Sequence, residues 1–248
     1  MPTAIIIGSG LIGAATALAL HKVGIHSILY DQVDLAQAIA EGNAVEFGDS
    51  GGAVAIQASG LRVLRSLGLL DECLKEGTTT PYASWAKIDG SAQVVIDTRT
   101  WNKTAGETDP VMQLPLQILR SKLHSILMRA CHRAGIKAYV GKKLVDVKQD
   151  ESVVTATFAD GTIAMADLLI GADGIHSTTR RKVFGEKLTA KFTGEMGHIG
   201  VVNLKQHNID LKDTERIIFY VDNENLGDEA RNSNACNLVR GLSVVAIR

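Results

Sequence analysis

The chain has 248 residues, 46% apolar and 21% charged, enough to bury a substantial core and to divide into one or two domains. Lys and Arg number 26 against 27 Asp and Glu, a balance that leaves no global field to attract nucleic acid or an anionic membrane. Cys73, Cys131 and Cys236 are scattered without metal or redox spacing, which argues against a thiol-based centre and fits a reducing compartment.

The N-terminus, MPTAIIIGSGLIGAATALAL, lacks the positive segment of a signal peptide, and glycines interrupt its apolar run. No uninterrupted apolar stretch is long enough to span a bilayer, so the expectation is a soluble, cytoplasmic chain with no membrane partner. Ala4-Ile5-Ile6-Ile7 is a short β-branched run, the pattern of a strand buried on both faces of a parallel sheet. Gly8-Ser9-Gly10-Leu11-Ile12-Gly13 follows, and then an Ala/Leu-rich helix former closed by Gly24. Residues 25–30 read as a second strand ending at Asp31.

Glycines between a strand and a helix are the context in which G-x-G-x-x-G carries chemistry. Gly8 permits the tight turn, Gly10 lets a pyrophosphate approach the backbone, and Gly13 lets the helix pack on the sheet. The helix N-terminus faces the anion with unpaired N–H groups and a partial positive charge. Asp31 is placed to accept hydrogen bonds from a ribose, and an acid there disfavours a 2′-phosphate. FAD and NAD both carry an ADP half, so this motif does not separate them.

Gly51-Gly52 then leads into Ala53-Val54-Ala55-Ile56 after a small, polar stretch. Apolar residues at 61, 63, 64, 67 and 70 predict a short amphipathic helix that ends at Gly68 or continues into a second. Residues 82–88 and 92–96 flank Asp89-Gly90 and predict a hairpin, followed by a polar loop over 101–109. Leu119, Leu123, Ile126, Leu127 and Ala130 recur at helical spacing, and Gly135 ends that helix. Strands are predicted over 143–148, 153–158 and 163–170, with Asp160-Gly161 turning the second into the third. Beyond residue 186 the pattern weakens, with strands expected over 198–204 and 216–221.

A βαβ start, then a hairpin, then a helix and antiparallel strands is not the continuous alternation of a simple dehydrogenase domain. It suggests a nucleotide-binding domain interrupted by a second, sheet-rich one.

The run GADGIHSTTR places Asp173-Gly174 at the carboxyl end of an apolar strand, where open α/β sheets bind ligands. Ser177 is placed to begin the next helix, with Arg180 and Arg181 in its first turns. Arginine there is electrostatically unfavourable unless an anion or a carboxylate is near. Asp173 and a cofactor phosphate are both candidate partners, and a capped turn with solvated arginines is the plain alternative. The same tension appears at Arg120, at the start of the helix in LQILRSKLHSIL.

GSGLIG with Asp31, Arg120 in R-x-x-L-x-x-x-L, and DLLIGADGIHS with Arg180 trailing resemble the flavin-dependent monooxygenases of the single-component aromatic hydroxylase type. These are the salicylate-hydroxylase-like and p-hydroxybenzoate-hydroxylase-like enzymes. GGAVAIQASGLRVLRSLGLLD is similar to that family's segment from a flavin-contacting loop into a helix. The resemblance covers roughly residues 3–185. It implies an α/β chain with a Rossmann-like FAD-binding domain interrupted by a β-rich substrate domain. The FAD-binding domain is expected over 1–80 and 105–186, and the partial substrate domain over 81–104 and 187–248.

The resemblance also implies FAD as cofactor, with its ribose on Asp31 and its pyrophosphate on the Gly8–Gly13 turn. Gly52 would meet the cofactor through its backbone, and Arg120 would face the ribityl-pyrophosphate region. Asp173, Gly174 and Arg180 would serve the FAD and NAD(P)H region. In such enzymes NAD(P)H reduces the flavin, O₂ adds to give a C4a-hydroperoxide, and one oxygen passes to a small, typically aromatic substrate. The flavin carries the chemistry, so no side chain is singled out as a covalent nucleophile.

One motif departs from the family. Its members carry a further Gly-Asp-Ala-Ala-His, and Gly227-Asp228-Glu229-Ala230 is the nearest string here. The expectation is therefore an N-terminal portion of such an enzyme, with a non-catalytic FAD-fold protein as the alternative. An NAD-dependent dehydrogenase is opposed by GADGIHSTTR and by the lack of a Tyr-x-x-x-Lys or His–acid arrangement. His21, His26, His124, His132, His176, His198 and His207 are dispersed without metal spacing, and Trp85 and Trp101 read as core or loop anchors before pocket walls.

Overall fold

The computed structural model describes residues 1–33, 52–79, 81–87, 91, 93–97, 99, 108–185, 190–192, 216–221 and 243–244. The chain forms two compact units, each assembled from separated segments: Met1–Ser50 with Ser121–Phe192, and Gly51–Arg120 with Thr193–Arg248. The Rossmann-like unit is thus interrupted in sequence by the second, sheet-rich one.

In the first unit, β1 (Thr3–Ile7) leads into α1 (Leu11–Lys22) and β2 (His26–Tyr30). β1 pairs in parallel with β2, from Thr3 opposite His26 to Ile7 opposite Tyr30. The four-stranded parallel sheet is completed by β8 (Lys137–Tyr139) beside β2 and β12 (Leu168–Gly171) beside β1, in the order β12-β1-β2-β8. Every residue of Ala4–Ile7 is buried, which is why the run carries no polar alternation.

A three-stranded antiparallel meander, β9 (Leu144–Gln149), β10 (Val154–Phe158) and β11 (Ile163–Ala166), packs on one face of the parallel sheet. Ile5 and Ile7 meet Leu144, Ala156, Phe158 and Ala166 in a single core, with Tyr30 and Leu169 beside it. Tyr30 stacks between Phe158 and Tyr139, at centroid separations of 4.8 and 5.5 Å. Burying each of Ile5, Ile7, Leu144 and Phe158 stabilises the unit by about 2 kcal/mol. Helix α1 packs against β2, and the Cys131 thiol lies 3.5 Å from the Ala14 carbonyl oxygen.

Residues 163–170, expected as one strand, are two strands in two sheets. β11 pairs antiparallel with β10, whereas β12 runs parallel to β1, with Leu168 opposite Ala4 and Gly171 opposite Ile7. The switch occurs at Asp167, whose Oδ2 accepts the Thr3 N–H at 2.7 Å and the Thr3 hydroxyl at 2.9 Å. That carboxylate caps the start of β1 and gives the chain a reason to change partners there. β8 was not foreseen, because its three residues are all exposed on a sheet edge and show no apolar alternation.

The second unit contains β3 (Ala53–Ile56), α2 (Ala58–Leu67), α3 (Leu70–Glu76), β4 (Thr78–Thr79), β5 (Tyr82–Lys87), β6 (Gln93–Asp97), α4 (Pro110–Gln113) and β7 (Leu116–Leu119). β13 (Arg216–Val221) and β14 (Ser243–Val244) belong with them. β7 lies between β3 and β4 in an antiparallel sheet, and a second sheet has the order β14-β13-β5-β6. The expected hairpin is present as β5 antiparallel to β6, with Tyr82 opposite Asp97. Gly68 ends α2 with its N–H donated to the Arg65 carbonyl, and α3 follows as a separate helix. Asp109 caps α4 by accepting the Val111 N–H at 2.9 Å and also pairs with Arg65 at 2.7 Å. The strand expected over 198–204, Asp89-Gly90, Trp101, Cys236 and the 227–230 string lie outside the described residues.

Helix α5 (Arg120–Arg133) buries Leu123, Ile126, Leu127 and Ala130 at the expected spacing, whereas Leu119, expected in the same helix, is the last residue of β7, where it pairs with Ala53. Helix α6 (Thr178–Phe184) begins after Ser177, whose hydroxyl accepts the Arg180 N–H at 2.9 Å.

Candidate functional site

The parallel sheet brings the two sequence motifs together. β1, β2 and β12 all point their carboxyl ends to the same edge, so the Gly8 turn, Asp31 and the Ala172-Asp173 segment leave neighbouring strands side by side. Such an edge is where open α/β sheets bind ligands. The Gly8 N–H donates to the Tyr30 carbonyl at 2.8 Å, and the Ala172 N–H donates to the Ile7 carbonyl at 2.7 Å.

The three glycines of the turn differ in what they do. Gly8 has φ +100°, and a β-carbon there would run into the Ala172 carbonyl oxygen. A β-carbon on Gly13 would overlap the Gly8 carbonyl oxygen. Both are glycine because the protein's own backbone approaches them. Gly10 has φ −64°, which any residue adopts, and a β-carbon on it would meet nothing within 4 Å. Nothing within the described protein demands glycine at that position. A ligand lying against the turn would account for it.

Gly10 is also the N-cap of α1, and it offers no side chain to the helix's first N–H groups. No acidic residue lies in the first turn of α1. The positive end of the helix therefore faces the open side of the turn without a protein carboxylate in that turn, an arrangement suited to a phosphate.

Asp31 is fixed against the turn. Its Oδ2 accepts both the Ser9 N–H at 2.7 Å and the Ser9 hydroxyl at 2.8 Å, while Oδ1 accepts the Val33 N–H at 2.9 Å. A carboxylate has about four acceptor positions, so roughly one remains on Oδ1 for a ligand hydroxyl. On the other side of Ser9, His124 of α5 places Nε2 2.7 Å from the Ser9 carbonyl oxygen. Ser9 and His124 are both buried and were not singled out from sequence. The signal for His124 was available in its register, next to Leu123 and within the buried stripe of α5.

At the third strand end, Asp173 organises the turn into α6. Oδ1 accepts the Ser177 hydroxyl at 2.6 Å, and Oδ2 accepts the Thr179 N–H at 3.0 Å and its hydroxyl at 3.1 Å. Burial by itself would raise this carboxyl, but the hydrogen bonds from Ser177 and Thr179 outweigh it and hold the group below the ordinary aspartate value. Gly174 follows with φ +76° on the exposed side of the turn. Arg180 donates to the Ile175 carbonyl at 2.6 Å and Arg181 to the His176 carbonyl at 2.9 Å, so both guanidinium groups tie back onto the turn that precedes their helix.

Gly52 and Arg120 lie together in the second unit. The Arg120 N–H donates to the Gly52 carbonyl at 3.0 Å, continuing the β3–β7 pairing in which Ala53 faces Leu119. The Arg120 side chain is exposed. Seven of the nine candidate residues thus sit on the first unit and two on the second: Gly8, Gly10, Gly13, Asp31, Asp173, Gly174 and Arg180, then Gly52 and Arg120. Among the described residues no cluster of His, Cys, Asp or Glu could hold a metal ion, and no helix is long and apolar enough to cross a membrane. The residues at the parallel-sheet edge fit the ADP half of a dinucleotide: a glycine that, among the described residues, faces open space, a helix N-terminus, and an acid fixed at the end of the neighbouring strand.

Comparison with known proteins agrees with that fit. The family model described as FAD binding domain matches residues 1–228. The FAD-dependent urate hydroxylase of Mycolicibacterium vanbaalenii is 32% identical over 201 residues, covering 80% of this chain and 46% of the relative. The 6-hydroxynicotinate 3-monooxygenase of Bordetella bronchiseptica is 28% identical over 200 residues, covering 81% of this chain and 48% of the relative. The crystal structure of Klebsiella pneumoniae HpxO complexed with FAD and uric acid superimposes with a TM-score of 0.57 at 23% identity, covering 73% of this chain and 41% of that one. The chain spans about half the length of the curated relatives it matches.

Proposed function

Because the chain belongs to the FAD-binding domain family, we propose that it binds FAD and forms the cofactor-holding part of a monooxygenase acting on a small aromatic or heteroaromatic compound. The observation that carries this reading is Gly10, a glycine at a helix N-cap with ordinary backbone angles and open space where a side chain would be.

In this reading the Gly8–Gly13 turn and the start of α1 hold the pyrophosphate, and the free acceptor position of Asp31 takes a ribose hydroxyl. Asp173 keeps the turn before α6 closed, with Gly174 and Arg180 on the ligand side. Gly52 and Arg120 are the further residues that the family resemblance proposes for the cofactor. When bound, FAD supplies the redox chemistry, taking electrons from NAD(P)H and passing them to O₂ so that one oxygen reaches the substrate. The protein's own share is to bind, orient and exclude water. The named activities of the relatives, on urate and on 6-hydroxynicotinate, favour hydroxylated rings as the substrate class.

The test is an absorbance spectrum of the purified chain before and after incubation with FAD and desalting. A retained two-band flavin spectrum supports the binding reading, and NAD(P)H oxidation stimulated by hydroxylated aromatic acids supports the reaction. A chain that retains no flavin and shows no FAD-dependent change in melting temperature refutes it. Retained flavin without NAD(P)H oxidation would mean cofactor binding without turnover.

A further inference from the structure

Ser9 is only 3% exposed although it sits in the middle of the nucleotide turn. Its N–H and its hydroxyl are both committed to Asp31, so its side chain serves the protein and not a ligand. The remaining polar group of Ser9 is its carbonyl, and that oxygen lies 2.7 Å from Nε2 of His124. A carbonyl only accepts, so the imidazole must carry its hydrogen on Nε2. His124 is itself 8% exposed, so the contact is made out of water.

The geometry of this peptide gives the contact a consequence. The Ser9 carbonyl and the Gly10 N–H belong to one planar trans unit, in which C=O and N–H point in opposite directions. Holding the carbonyl toward α5 therefore aims the Gly10 N–H the other way. Gly10 imposes little restraint of its own, because a residue without a β-carbon lets the preceding peptide rotate through conformations closed to others.

We propose that His124 is a positioning residue for the nucleotide turn, locking the Ser9–Gly10 peptide so that the Gly10 N–H is presented for a phosphate oxygen and Ser9 stays seated on Asp31. The inference rests on the FAD-binding reading of this turn. His124 touches no ligand in it. It acts through Ser9, and through Ser9 it joins α5 to the acid at the end of β2.

The test compares His124→Leu, His124→Asn and His124→Gln in the full chain. The Gln amide nitrogen reaches about as far as Nε2 of histidine, whereas the Asn amide is one carbon short. Three quantities are read for each protein: FAD affinity by flavin fluorescence titration, hydrogen exchange of the Ser9 amide without FAD, and the melting temperature. His124→Leu and His124→Asn should weaken FAD binding about tenfold, the scale of one buried hydrogen bond. Both should speed Ser9 exchange, and His124→Gln should restore both quantities to near the wild-type values.

Equal behaviour of the Asn and Gln variants would overturn the inference, since a purely space-filling role does not depend on where the amide ends. Unchanged Ser9 exchange in the folded Leu or Asn variant would overturn it as well, whatever happens to FAD. A wild-type chain that takes up no FAD would instead remove the cofactor reading, and the Ser9 exchange rates would still decide whether His124 holds the turn.

Discussion

Gly13 lies so close to the Gly8 carbonyl that a β-carbon on it would overlap the oxygen, while Gly10, midway between them in the same turn, faces open space. The two kinds of glycine should separate experimentally. Gly13→Ala must push helix α1 away from the turn and should cost about 1–3 kcal/mol of stability, read as a lower denaturant midpoint. Gly10→Ser should leave the melting temperature unchanged or slightly raised, because serine is a good N-cap residue. The same variant should nonetheless lose FAD affinity at least tenfold, roughly the cost of one displaced phosphate contact. Full cofactor occupancy in Gly10→Ser would contradict the assignment of the turn.

Asp31→Ala removes the acceptor that satisfies Ser9 and the one assigned to the ribose. Leaving the Ser9 N–H buried without a partner should cost about 1–3 kcal/mol in unfolding free energy. FAD affinity, measured on the folded protein by titration, should fall as well. If affinity holds while stability drops, Asp31 is a structural anchor for Ser9 and not a ribose ligand.

Asp173→Asn should destabilise the first unit by about 1–2 kcal/mol at neutral pH, since the amide cannot accept from Ser177 and Thr179 with both of its atoms. The folded-state carboxyl titrates below its ordinary value of 3.8, so its contribution is present above that pH and fades as pH falls through the folded value. The urea midpoints of wild type and variant should therefore stay a constant distance apart from pH 7 to 5. They should converge only below the ordinary aspartate range, and a gap that closed near neutrality would contradict the assignment.

Cys73 and Cys131 are buried, and burial pushes both thiols up to about 11, with Glu72 adding to the effect at Cys73. At pH 8 their thiolate fraction is on the order of a hundredth of an ordinary exposed cysteine's. Peptide mapping after brief iodoacetamide treatment should find both unmodified in the native protein and both alkylated in denaturant. Rapid native labelling of either would show that its helix opens readily.

The parallel βαβ core was legible from the chain because its signals are local. Ala4-Ile5-Ile6-Ile7 is apolar because both faces of β1 are covered, and Gly8 and Gly13 mark close approaches within a few residues of each other. Ser177 announced the start of α6 by the same local logic, and it accepts the Arg180 N–H as an N-cap should. The arginines of that helix illustrate the opposite case. Sequence left open whether they met Asp173, a phosphate or water, and the structure shows them donating to the carbonyls of Ile175 and His176.

What the sequence by itself determined is the set of elements whose causes lie within one turn or one strand: the glycine turn, the amphipathic stripe of α5 and the hairpin of β5 and β6. What only the tertiary structure decided is which of their ends meet. Thr3 and Asp167 are far apart in the chain, yet their hydrogen bonds divide an apparently continuous strand between two sheets. His124 reads as an unremarkable helix residue until α5 folds against the turn and brings its imidazole to Ser9. The reason is common to both: a hydrogen bond between distant residues leaves no periodicity in either segment, and its partners meet only when folding brings the two segments side by side.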